Sequence, residues 1–329
     1  METILGFDIG GSKIDIVEGT YEGQLLRSET IKNSGEPFNE IYKDLEIVGS
    51  KFINATSERG HKIIAVSASI GGPLDIENGL IISPPNLPGW RNVPLKDHLR
   101  SSFNLPVYIE HDGNAGALAE HRFGAGMGTS NMVFLTMGTG LGAGIIINGD
   151  ILHGATDTAG EVGHIRIARD GPIAYGKKGS WEGYASGEGL KKLLHIRYPD
   201  KWGKDISTRE IIQLAIDGSD EVRKVVQEVG EWLGKGIAIL VDILNPDVIV
   251  VGTLGYVLED LILEPASRIM KEEALEISAS ACKVVPAKLG TSLGKISSLM
   301  AAINAREMEE STHLGSQKID YAPDETFPK

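Results

Sequence analysis

ILGFDIGGSKIDIVEG (Ile4–Gly19) and MVFLTMGTGLGAGIIING (Met132–Gly149) follow one plan: an apolar run, a glycine turn, and a second apolar run. Gly10-Gly11-Ser12 makes the first turn and Gly138-Thr139-Gly140 the second. Laid together, Asp8 meets Thr136, Gly10 meets Gly138 and Ser12 meets Gly140. Glycines let backbone N–H groups approach an anionic oxygen closely, and a neighbouring hydroxyl adds a donor. Two strand–turn–strand units so far apart predict two related halves facing each other. A lone glycine hairpin can arise in any β-containing protein, so the chemistry has to come from the rest of the chain.

The segments between these units alternate. Glu36–Glu58 reads as a helix, Lys62–Gly71 as a buried strand of small residues, and Pro84–Pro94 as a proline loop. Pro106–Glu110 reads as a strand, followed by a small-residue helix headed by Asp112. The simplest role for an aspartate there is an N-cap. Asp220–Leu244 gives the clearest helix, with Val222, Val226, Val229, Leu233, Ile237, Leu240 and Leu244 at steps of three or four. Asn245–Gly255 is a turn, a β-branched strand and then glycines, and Ser292–Met308 is a last helix. Residues 309–329 are polar and proline-bearing, read as a loosely held tail. This alternation predicts α/β layers.

The 329 residues are 41% hydrophobic and 23% charged, enough for two domains with separate cores. A net charge of −13 argues against a duplex-binding face, so no nucleic-acid partner is expected. Cys282 is the single cysteine, which rules out an internal disulfide or a cysteine-cluster zinc site and suits a reducing compartment. No signal segment follows Met1 and no apolar run reaches membrane-spanning length, so a cytoplasmic protein with no membrane partner is expected. Three fingerprints fail: no G-x-G-x-x-G opens a helix after a strand, GPIAYGKK (Gly171–Lys178) lacks the closing Ser/Thr of a Walker A loop, and no G-x-S-x-G elbow occurs. Phosphate contacts would therefore come from hairpins. Two such hairpins and the strand-end Gly252-Thr253 form the plan of the actin-like, ribonuclease H-like two-lobed ATPase fold, with mixed sheets flanked by helices and a cleft between the lobes.

Within that plan, GFDIGGSK (Gly6–Lys13) resembles the DxGGTK opening of ROK-family sugar kinases, with Ser12 for Thr. GGPLD (Gly71–Asp75), PPNLPGW (Pro84–Trp90), EHDGNA (Glu110–Ala115) and GTGLGAGII (Gly138–Ile146) match the family in order. AGEVGHI (Ala159–Ile165), WEGYASG (Trp181–Gly187) and LNPDVIVVG (Leu244–Gly252) continue the series, so the resemblance covers all but the tail.

The resemblance implies a kinase that moves the γ-phosphoryl group of ATP, with Mg²⁺, to the C6 hydroxyl of a hexose, glucose foremost. Asp112 then corresponds to the general base, which accepts the hydroxyl proton during in-line transfer. Asp8 corresponds to a Mg²⁺ ligand acting through water. Gly10, Gly11, Ser12, Lys13, Gly138, Thr139, Gly140, Gly252 and Thr253 correspond to the nucleotide cradle. Glu161, His164 and Glu182 correspond to sugar contacts, with Gly72, Asn86 and Asn114 completing the pocket. From residue types alone, Glu161 and His164 could equally be a metal pair or neighbours on a helix face, and Asn86 a turn residue.

Two positions depart from the family pattern. His111 stands where most members have Asn, which opens the sugar preference and lets an imidazole donate to a hydroxyl or tune Asp112. Ile173, Tyr175 and Ser180 stand at the cysteine positions of the family's zinc loop, so no zinc is expected and packing by Tyr175 and Trp181 must hold the loop. Trp90 and Trp181 are expected in cores rather than against sugar.

By resemblance the first lobe runs over 1–120 and regains the helix at about 295–308, and the second covers 121–294. Lobe closure would exclude water, and a homodimer or homotetramer is expected. Rival readings are an N-acetylmannosamine or N-acetylglucosamine kinase, a non-catalytic sugar sensor, and a sugar-responsive ROK transcription regulator. The regulators carry an N-terminal helix-turn-helix, whereas here the phosphate strand opens at Ile4.

Overall fold

The repeat seen in the sequence is a repeat of sheet topology in the computed structural model, which describes residues 1–203 and 205–315. The first sheet runs Leu25–Lys32, Lys13–Gly19, Glu2–Ile9, Lys62–Ile70 and Val107–His111 in spatial order. The second runs Asp150–Ile151, Ala143–Ile147, Met132–Leu135, Val248–Val251 and Lys283–Pro286. In each, the central strand pairs antiparallel with the hairpin on one side and parallel with the strand on the other. Each glycine turn therefore lies at the C-terminal end of a central strand, where open α/β sheets present ligand sites.

Five layers result. Phe38–Glu58 and Leu95–Phe103 cover the outer face of the first sheet, burying Leu45, Phe52 and Leu99 against Phe7, Ile16 and Ile70. Asp220–Leu244 and Glu259–Glu273 cover the outer face of the second, where Val226, Leu233 and Ile237 meet Val133, Leu135 and Ile249. Between the sheets lie Asp112–Phe123 and Leu293–Gly315, with Ala117, Leu299 and Ile303 packed among Ile4, Val17, Phe134 and Val250. The small residues of DGNAGALAE are needed for that fit. A Cβ on Gly116 would come 2.7 Å from the Phe134 ring, and one on Gly144 would come 2.3 Å from the Gly113 carbonyl.

Two segments cross between the sheets, from Phe123 to Met132 and from Pro286 to Leu293. One fully buried carboxylate ties them together: Glu120 accepts N–H bonds from Ala125 (2.8 Å), Lys288 (3.2 Å) and Leu289 (2.9 Å).

Several boundaries move from their sequence readings. The last helix extends through Gly315, so the tail assigned from 309 begins too early; Arg306 and Glu310 form an i,i+4 pair (3.0 Å) that supports the added turn. The rest of that tail lies outside the described residues. The helix read from Glu36 starts at Phe38, because Pro37 takes the N-cap position with its fixed φ. The strand read as Pro106–Glu110 is Val107–His111, whose last residue pairs with Ile70. That shift moves the N-cap from Asp112 to His111. Within the proline loop, Val93–Pro94 joins Leu74–Asp75 and Leu80–Ile81 in a small sheet.

Candidate functional site

A cleft of about 670 Å³ opens between the two glycine turns. Gly10, Gly11, Gly72, Asn86, His111 and Asp112 line it from the first half, and Thr139, Gly140, Glu161, His164 and Glu182 from the second.

Asp112 is the first residue of its helix, and its side chain is 57% exposed. Its Oδ1 accepts the Gly113 N–H (2.7 Å), a donor shared with His111 Nδ1 (3.2 Å). Its Oδ2 faces Gly71, where even a Cβ would stand 3.5 Å away. One oxygen is thus held while the other looks into open space. His111 Nδ1 also lies 3.4 Å from Asp112 Oδ1. The ring lies on Gly72, where a Cβ would come 2.8 Å from Cδ2 and 3.0 Å from Nε2.

Behind Asp112 stands Asp8, at the end of the central strand. Burial, then the negative charges of Asp112 and Asp15, push its carboxyl up to about 6, with Lys13 opposing them. Lys13 itself is bound to Asp15 (2.6 Å) and is exposed. The first turn closes through Gly10 N–H to the Lys13 carbonyl (3.1 Å), and Asn33 braces it by donating to the Gly10 carbonyl (2.9 Å). Gly11 admits the Asn86 backbone, whose carbonyl would lie 2.4 Å from a Cβ there.

The second turn is braced differently. Thr136 Oγ1 accepts the Gly142 N–H (3.1 Å), and the Gly138 and Thr139 carbonyls accept N–H groups of Gly187 (2.8 Å) and Glu188 (3.1 Å). Gly252 and Leu254 dock on Leu135 and Met137 through backbone bonds, which brings the Thr253 hydroxyl within 3.8 Å of where a Gly138 Cβ would stand.

On the far wall, Glu161 and His164 lie in the 3₁₀ region around Val162–His164, with Oε2 and Nε2 3.8 Å apart. Glu182 Oε2 accepts the Leu141 N–H (2.9 Å) and the Tyr175 hydroxyl (2.5 Å).

Not every residue singled out in the sequence reaches the cleft. Asn114 is buried beneath it, donating to Glu110 (2.9 Å) and leaving its Oδ1 without a partner. Asp8, Ser12, Lys13, Gly138, Gly252 and Thr253 flank the cleft without lining its main volume. Trp90 and Trp181 are core residues: Trp90 packs edge-on against Phe38, and Trp181 fills the space over Gly236. Sequence reasoning missed Thr136, Leu141 and Thr158 as lining residues, and Asn33 as a brace. It also missed Glu110, which bonds His153 (2.8 Å) from one half of the chain to the other; that bond to Glu110 raises the His153 imidazole above its ordinary range. Only the strand-end position of Glu110 hinted at a role.

The Asp8 carboxylate at the strand end suits a hard cation such as Mg²⁺, which takes one or two carboxylates together with waters and phosphates. The zinc-loop positions do not suit zinc. Ile173 offers no donor, the Ser180 hydroxyl caps the helix Trp181–Tyr184, and the Tyr175 hydroxyl is given to Glu182.

The profile of the ROK family matches residues 4–304. The chain belongs to the ROK family. The xylose repressor of Caldicellulosiruptor bescii is 33% identical over 298 residues, spanning 87% of this chain and 74% of that protein. The glucokinase of Halalkalibacterium halodurans is 32% identical over 308 residues, spanning 89% and 92%. The structure of a ROK glucokinase from Streptomyces griseus in complex with glucose and AMPPNP superposes with a TM-score of 0.74 at 30% identity, covering 92% of this chain and 98% of that one. The mixed sheets here have the two-lobed, actin-like arrangement of these ROK structures. No helix among the described residues is long and apolar enough to cross a membrane.

Proposed function

We propose that this ROK protein is an ATP-dependent sugar kinase that phosphorylates the C6 hydroxyl of a hexose, glucose foremost, with Asp112 as general base. One observation carries the reading: a carboxylate held by one oxygen, with the other turned into a cleft whose opposite wall offers Glu161, His164 and Glu182. Polyols suit such a wall, because carboxylates accept hydrogen bonds from several hydroxyls. A hydroxyl aligned there gives its proton to Asp112 Oδ2 as its oxygen attacks the γ-phosphorus.

His111 lines the same space and bears on which sugar fits. The Gly10–Lys13 turn, the Gly138–Gly140 turn and Gly252-Thr253 surround the region assigned to the triphosphate. Asp8 would hold Mg²⁺ through water, and the ion would neutralise phosphate charge. We assign the first lobe to 1–120 with the last helix, and the second to 121–294.

The test is a coupled ADP-release assay over glucose, mannose, fructose, N-acetylglucosamine and N-acetylmannosamine, with Asp112→Asn on the best substrate. One sugar should stand out, and the variant should lose about 10²-fold or more in kcat. An N-acetylated sugar as best substrate would move the assignment to that class. The similarity to a xylose repressor supports a second reading, a sugar-responsive regulator. Sugar binding by calorimetry with no turnover of any sugar would select it.

A further inference from the structure

Beside the wall that carries Glu161, His164 and Glu182, the zinc-loop positions hold Ile173, Tyr175 and Ser180, a set that does not suit zinc. The loop after His164 is a hairpin, Ile173–Ala174 paired with Lys177–Lys178, joined by Tyr175-Gly176. Both turn residues have positive φ (53° and 67°), the type I′ combination that fits the twist of a two-residue hairpin. That backbone turns the Tyr175 ring into the cleft, which it lines. The ring stacks on the His164 imidazole with centroids 3.5 Å apart and planes 22° apart. Its hydroxyl donates to Glu182 Oε2 at 2.5 Å. Gly163 leaves room for this contact, since a Cβ there would come 3.2 Å from the phenol oxygen. Lys177 completes the clamp by donating to the His164 carbonyl (2.5 Å).

We infer that Tyr175 is the positioning residue of the sugar wall, fixing His164 by stacking and Glu182 by a hydrogen bond so that this half of the site works without zinc. The inference rests on the sugar-kinase reading for its kinetic consequence, though not for its geometry. The Glu182 oxygen that binds Tyr175 and Leu141 is fully used, which leaves Oε1 as the oxygen free for a hydroxyl. Burial and the neighbouring Glu182 push the Tyr175 phenol well above its ordinary range, so it stays a donor at any physiological pH.

Tyr175→Phe keeps the stack and loses the donor, and Tyr175→Ala loses both. Tyr175→Phe should raise the sugar KM about 3- to 10-fold, the worth of one hydrogen bond. Tyr175→Ala should raise it further, while kcat and the KM for ATP stay close to wild type in both. The purified protein should hold far less than one equivalent of zinc by mass spectrometry, and dialysis against a zinc chelator should leave its melting temperature unchanged. One equivalent of bound zinc, or a wild-type sugar KM in both variants, overturns the inference. Should Tyr175→Ala fail to fold, Tyr175→Phe decides. If wild type phosphorylates no sugar, the kinase reading fails, while the Tyr175 phenol can still be followed by ¹³C-tyrosine NMR, its signal assigned with Tyr175→Phe. Glu182→Gln, which replaces the carboxylate acceptor of the phenol, should then shift that signal at neutral pH, and an unchanged signal overturns the inference.

Discussion

The two glycine turns share a strand plan and part most clearly at the strand end. Where the second places Thr136, whose hydroxyl accepts the Gly142 N–H and so completes its own turn, the first places Asp8, half-buried with Asp112 and Asp15 near it. The threonine serves the fold. The aspartate is held against electrostatic cost, and such sites are where function resides. One backbone device thus does two jobs, and the residue at the strand end decides which.

Making the first turn resemble the second should give the largest effect. Asp8→Thr should cost about 10²-fold or more in phosphoryl transfer, the scale of losing one electrostatic stabiliser. Without Mg²⁺ and nucleotide it should also stabilise the protein at pH 8 by roughly 1–3 kcal/mol, read from the melting temperature. The sign follows from a folded value of about 6 against 3.8 unfolded. The ionised form is penalised in the fold, so the penalty is full above pH 6 and fades as the pH falls through that value toward 4. A gain that grows on acidification would contradict this account.

Disabling the second turn should cost less. Thr136→Val removes the acceptor for Gly142 N–H and should lower stability by about 1 kcal/mol in denaturant unfolding. The smallest effect concerns the link between the halves, Glu110 with His153. Because its folded value is raised, His153 contributes stability that is full below pH 6.5 and is lost as the pH rises through the folded value. Wild type should therefore exceed His153→Gln by about 0.5–1 kcal/mol at pH 6 and by less at pH 9. Parallel melting curves across that range would show whether the gap closes.

The sequence displayed the parts whose signal is local or long. Both glycine turns could be read from adjacent residues, and Asp220–Leu244 from seven apolar positions in phase. Short elements escaped: Leu95–Phe103 and Gly187–Arg197 are held by tertiary packing on a few residues each, too few to set a period. Thr208–Ile216 was announced by a capping box, Ser207 with Glu210, that went unread. At the site, the residues of the ordered motifs gather round the cleft, but the sequence could not say that His111 rather than Asp112 caps the helix. That depended on the strand running one residue further, to His111, which pairs with Ile70. Nor could it show Tyr175 beside His164 and Glu182, since a hairpin only two residues wide sets that ring's direction.

Glu120 has a consequence for how the molecule moves. The chain passes between its halves twice, and three N–H groups on the two passages converge on this one carboxylate. Fastened at a common point, the two passages cannot slide or twist past each other without tearing hydrogen bonds from a buried acid, so one side chain keeps the two crossings in register.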